Sequence, residues 1–187
     1  MRKVDSQSKK SAMPTRPTQN RIGPLTRTNL DSFDIRILRA LIANARATNV
    51  EIAQAVGLSE APCSRRIRRL EEDGIIQGYS ALVNPDAIGI GVQAFVTLVL
   101  ENFTAETAEA FTGQIQAMPE VLACHIVSGG YDAILEVVAT DNRAYSEFLL
   151  GRLRQLPGVK DARTSFIMRT LRKTIGLPIL APVSGLG

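Results

Sequence analysis

At 187 residues, with 45% hydrophobic and 21% charged residues, the chain has room for one large folded unit or two small ones and an ordinary globular balance. Its longest apolar run, Ala94 to Leu100, is broken by Thr97 and falls far short of the roughly 20 residues a membrane span needs. No secretory-type apolar segment opens the chain, so a cytoplasmic protein without membrane partners is expected. The net charge of +4 is unevenly placed: residues 1–28 hold Arg2, Lys3, Lys9, Lys10, Arg16, Arg21 and Arg27 against a single acid, Asp5, which leaves the remainder slightly acidic.

That first segment is rich in Ser, Thr, Gln and Pro and has no periodicity. It reads as a disordered basic leader, either a solubilising tail or an arm adding non-specific affinity for polyanions. Order is expected to begin at Asp31, an N-cap candidate before Phe33, Ile35, Leu38, Leu41, Ile42 and Ala45 at helical spacing. Thr48 and Glu51 have the spacing of a capping box and open a second helix, which carries Ile52, Ala53 and Val56 inward and stops at Gly57. After a very tight turn Ser59 caps a third helix, with Pro62 in its first turn and Gly74 at its end. Two helices joined so closely are the sequence form of a helix-turn-helix.

On a wheel turned about 100° per residue, Arg65, Arg66, Arg68 and Arg69 share one side of the third helix and Cys63, Ile67 and Leu70 the other. Ala61, Pro62 and Ser64 lie near the arginine side at the helix start. Short side chains let a backbone approach a major groove, Glu60 and Ser64 can reach base edges, and arginines take phosphates or pair with guanine. A salt-bridged surface helix would look similar, since Arg68–Glu72 and Arg69–Asp73 are i,i+4 pairs, although acid after base is the weaker order. Arg65 and Arg66 have no acid four residues downstream, which makes them the leading candidates to touch double-stranded DNA. The helix reads as a recognition helix.

Beyond Gly74 the period changes to two. "IIQGYSALVN" fits one or two short strands leading to a linker around Asn84–Gly91. A strand over Val92–Leu100, a helix over Ala105–Met118, and strands over Val121–Val127 and Ala133–Ala139 follow. Asp141 opens a helix with Tyr145, Phe148, Leu149, Leu153 and Leu156 inward, "PG" at 157–158 stops it, and a last strand runs from Val159 to about Met168. The order β-α-β-β-α-β is the ferredoxin-like split, so the fold class is α+β, with the helical unit at 29–82, a linker at 83–91, the sheet domain at 92–173 and a tail at 174–187. One sheet face is left needing cover, which points to self-association.

The pieces "LDSFDIRIL", "IAQAVGLS", "PCSRRIRRLEEDGII" and "GYSALVNP", followed by "CHIVSGGYDAILEV" and "LPGVKDARTSFIM", resemble the Lrp/AsnC family of feast/famine transcriptional regulators, in order and over about residues 29–173. The resemblance implies a homodimer with sheets packed face to face, often assembling further, that senses an amino acid or related metabolite. It places the effector by the loop between the second and third strands of the sensing domain, which here is Ser128, Gly129, Gly130, Tyr131 and Asp132. Gly129 and Gly130 let backbone N–H groups approach a carboxylate, and Asp132 can hold an ammonium group or simply cap a glycine-rich turn. The "GG" pair departs from the family, which often carries an acidic or other polar side chain before the aromatic residue.

Other motifs fail on context. "GIGVQA" at 89–94 follows a linker and enters a strand, the reverse of a dinucleotide fingerprint. Cys124 and His125, adjacent on a strand, point to opposite faces and cannot chelate one metal. Cys63 sits on the apolar side of its helix, and both cysteines are expected to be reduced. No metal or cofactor is expected. The rival reading is an enzyme or metabolite-binding protein on the ferredoxin-like domain, with the helical unit as a docking module; His125, Asp132 and Glu136 are its only isolated candidates for acid–base work.

Overall fold

The computed structural model describes residues 30–102, 104–172 and 176–179. The basic leader lies outside the described residues. The helical unit holds α1 (Ser32–Ala43), α2 (Asn49–Val56) and α3 (Glu60–Glu72). Asp31 caps α1 in a full capping box, its carboxylate accepting from the Phe33 and Asp34 N–H groups while Asp34 accepts from the Asp31 N–H. Thr48 and Glu51 form a second such box on α2. Gly57 ends α2 at φ 74°, a left-handed conformation that costs glycine little. Ser59 occupies the N-cap position of α3, but its side chain makes no capping hydrogen bond. Ile37, Leu41, Ile52, Val56, Cys63, Ile67 and Leu70 interlock into one core, so the apolar back of α3 faces α1 and α2.

Residues 75–84 form no strand, contrary to the alternation read there. A strand needs a ladder partner to satisfy its N–H and C=O groups, and among the described residues none is offered to this segment. A single 3₁₀ turn, Asp86–Ile88, leads to the sheet.

The sheet domain comprises β1 (Val92–Leu100), α4 (Ala105–Gln116), β2 (Val121–Ile126), β3 (Ala133–Ala139), α5 (Asn142–Gly151) and β4 (Val159–Phe166). The strands lie in the order β2-β3-β1-β4, and every neighbouring pair is antiparallel. This is the ferredoxin-like arrangement. On β1, Val92, Ala94, Val96 and Leu98 are buried, and on β3 the alternate residues Ala133, Leu135, Val137 and Ala139. They pack with Phe111 and Ile115 of α4 and Tyr145 and Phe148 of α5. The opposite face carries Phe95, Val99, Ile134 and Val138, and among the described residues both helices lie on the first face. No helix among the described residues is long and apolar enough to cross a membrane.

Candidate nucleic-acid interface and effector loop

The arginines of α3 divide into two kinds. Arg66 reaches across to the start of α1, its guanidinium 2.6 Å from Asp31 Oδ2 and 2.9 Å from Asp34 Oδ1. Arg69 donates to the other oxygen of Asp34 at 2.6 Å. Asp34 is 1% exposed, so both guanidinium groups neutralise a carboxylate that is out of water. The Phe33 ring adds a cation–π stack, with Arg66 5.4 Å and Arg36 4.3 Å from its centroid. The Asp31 hydrogen bond, against partial burial and with help from Asp34, raises the Arg66 pKa. Partial burial pushes the Asp31 carboxyl up, yet the Asp34 N–H and the Arg66 guanidinium bring it to a net value below the ordinary one.

This corrects the expectation that Arg66 is unpartnered. The acids that hold it lie on another helix, beyond the reach of an i,i+4 search. A signal was present: Asp34 falls on the inward stripe of α1 with Ile37 and Leu41, and an acid on an apolar stripe needs a cation. The Arg68–Glu72 and Arg69–Asp73 pairs, which a salt-bridged surface helix would use, are not formed among the described residues. Arg69 turns to Asp34 instead, and Glu71 accepts a 2.8 Å hydrogen bond from the Tyr79 hydroxyl.

Arg65 and Arg68 are exposed and make no ion pair among the described residues. Glu60 and Ala61 are exposed beside them at the start of α3, with Pro62 and Ser64 half-buried. Ser64 Oγ lies 3.4 Å from Asn49 Nδ2, linking α3 to the first turn of α2. The outer surface of α3 is therefore a short-chained N-terminus followed by two free guanidinium groups, with two more arginines bound along one edge. Cys63, wholly buried behind them, has its thiol pKa pushed up by burial.

The loop between β2 and β3 is also built from local bonds. Val127 N–H donates to Asp132 C=O at 2.9 Å and Asp132 N–H to Leu98 C=O at 2.8 Å. The Asp132 carboxylate accepts from Leu100 N–H at 2.7 Å, so one of its oxygens ties the loop to the end of β1. Gly129 takes φ 149°, and a Cβ at Gly129 or Gly130 would meet nothing within 4 Å. Ser128 through Asp132 are all exposed. Asp132 is thus a turn-closing acceptor in the single subunit, with its second oxygen uncommitted among the described residues. His125 is exposed on β2 opposite Ile134, and both cysteines are free thiols.

Residues 93–177 match the Lrp/AsnC ligand-binding domain and residues 30–77 a winged helix-turn-helix DNA-binding family. The leucine-responsive regulatory protein of Escherichia coli K12 is 39% identical over 151 residues, covering 81% of this chain and 92% of that protein. A transcriptional regulator from Neisseria meningitidis, solved in complex with L-Met, is 38% identical with a TM-score of 0.77, covering 81% of this chain and 97% of that one. An AsnC family regulator from Agrobacterium tumefaciens is 32% identical with a TM-score of 0.75, covering 80% and 97%.

Proposed function

The chain belongs to the Lrp/AsnC family of transcriptional regulators, and on that premise we propose how its residues divide the work of reading DNA and sensing an amino acid. It is a DNA-binding regulator rather than an enzyme, acting in the cytoplasm where operator DNA lies. The α3 helix docks in the major groove and α2 supports it. Ala61, Pro62 and Ser64 let the backbone approach, Glu60 and Ser64 face base edges, and Arg65 and Arg68 take phosphates or guanine. Arg66 and Arg69 set the angle of α3 on α1 through Asp31 and Asp34. The observation that carries this division is the pairing itself, with Arg66 and Arg69 bound to a buried carboxylate and Arg65 and Arg68 open to solvent.

The effector is an amino acid, the class to which the L-Met bound by the Neisseria relative belongs. Its carboxylate meets the backbone N–H groups at Ser128–Tyr131, and its ammonium group the free oxygen of Asp132. The uncovered sheet face with Phe95, Ile134 and Val138 packs on a second copy, giving a homodimer that assembles further. Effector binding changes the contact between dimers and so the spacing of recognition helices along the duplex. Footprinting on the protein's own promoter region, with and without L-Met or L-Leu, tests this. The protected pattern and the assembly state are expected to change together at saturating amino acid; if neither moves across an amino-acid panel, the coupling is wrong.

A further inference from the structure

Residues 176–179, "GLPI", straddle the end of the family match at 177 and are not used by the DNA-reading role. After β4 the chain returns to the helical unit. Gly176, at φ 74°, sits so close to α1 that a Cβ there would lie 3.2 Å from Ile42 Cγ2. It forms one edge of a groove of about 530 Å³ whose other walls include Leu38, Leu41 and Ile42 of α1 and Ile75, Ile76 and Leu82 of the segment after α3. Residues 176–179 complete the lining, and Ile179 is half-buried there.

We propose that the protein's own C-terminal segment seats against α1 along the edge of this groove, a strap that ties the end of the sensing domain to the helical unit behind its recognition helix. The chemistry of the segment suits the seat. Gly176 permits the left-handed bend and the close approach to Ile42. Pro178 brings no N–H that would need a partner on an apolar wall, and it keeps Leu177 extended. Ile179 is the half-buried member of the segment and lines the apolar groove, while Leu177 stays 84% exposed, and Ile42 and Leu82 keep 40% and 65% of their surface in water beside it.

The groove also borders a residue bonded to α3. Tyr79 lines the same groove and donates to Glu71 on the last turn of α3, so strap, groove wall and recognition helix are contiguous. This role does not depend on which DNA or effector is bound.

The full-length chain tests it twice. A Cβ at position 176 would lie 3.9 Å from Ile42 Cβ, within the range of about 3.5–4.5 Å that a disulfide spans. In the double variant Ile42→Cys/Gly176→Cys, mild oxidation is expected to form a 42–176 disulfide within one chain, identified by peptide mapping of the non-reduced protein. A bond found only between mixed isotope-labelled and unlabelled chains would show that the partner's tail fills the groove, and no bond at all would show that the groove is not a seat; either overturns the proposal. Because Cys at a left-handed position is strained, the second measurement leaves position 176 alone. Ile179→Asp is expected to speed amide exchange in residues 38–45 and 75–80 about tenfold, equivalent to about 1.4 kcal/mol. Leu171→Asp, at an exposed site that does not line the groove, is expected to leave those rates unchanged. Equal rates in the two variants overturn the strap, and both expected results are required.

Discussion

The two flanks of α3 carry the same residue type to opposite ends. Along the edge facing α1, Arg66 and Arg69 surround Asp34, a carboxylate that is 1% exposed. Along the outer surface, Arg65 and Arg68 meet no carboxylate among the described residues. One residue of rotation on the helix separates a brace from a free cation. Charge density on a helix therefore does not reveal function until the neighbouring helix is known, because the neighbour's acids decide which cations remain available to a ligand.

Stripping one flank at a time separates the two roles. Arg66→Ala/Arg69→Ala leaves Asp34 buried without a cation, and urea unfolding should show a loss of about 3 kcal/mol. Asp34→Ala removes the buried charge itself and should cost less, about 1–2 kcal/mol. Arg65→Ala/Arg68→Ala should change stability by no more than about 0.5 kcal/mol. Equal losses from the two arginine pairs would erase the distinction between the flanks.

Smaller effects sharpen it at the helix ends. Thr48→Ala removes a side-chain cap from α2 and should cost about 1 kcal/mol in thermal or urea unfolding. Ser59→Ala removes a side chain that makes no cap bond on α3, so its effect should stay within about 0.5 kcal/mol. At the other end of α3, desolvation and the hydrogen bond to Glu71 push the Tyr79 phenol from 10.0 up to about 12. A raised folded-state value means that this attachment is fully present below pH 10 and is lost as the pH rises through about 12. The ultraviolet titration of wild type minus Tyr79→Phe should therefore show one phenol ionising near the upper value, and a midpoint at the ordinary value would contradict the bond.

The sequence was most legible where a segment's own residues settle its structure. The strands Val92–Leu100 and Ala133–Ala139 were read to the residue, because their alternation buries one face and faces helices of the same domain. The caps at Asp31 and Thr48 were legible because donor and acceptor lie three residues apart. Legibility failed wherever the partner is remote. Residues 75–84 alternate like a strand but have nothing to pair with in the described chain. Arg66 looked free because its acids, Asp31 and Asp34, sit on another helix. Asp132 admits two readings from sequence; its bond to Leu100 N–H shows a turn-closing role, and the proposed effector role draws on the remaining oxygen.

In the proposed docking, the outer flank of α3 faces duplex phosphates or bases while the inner flank holds the helix in place. Its most direct measurement is the salt dependence of affinity for the protein's own promoter DNA, compared between wild type and Arg65→Ala/Arg68→Ala. If both arginines take phosphates, the variant should bind more weakly and the slope of log affinity against log salt should become shallower by about 2 for each docked α3 helix, about 4 for a dimer on two half-sites. An unchanged slope together with unchanged affinity would contradict the account.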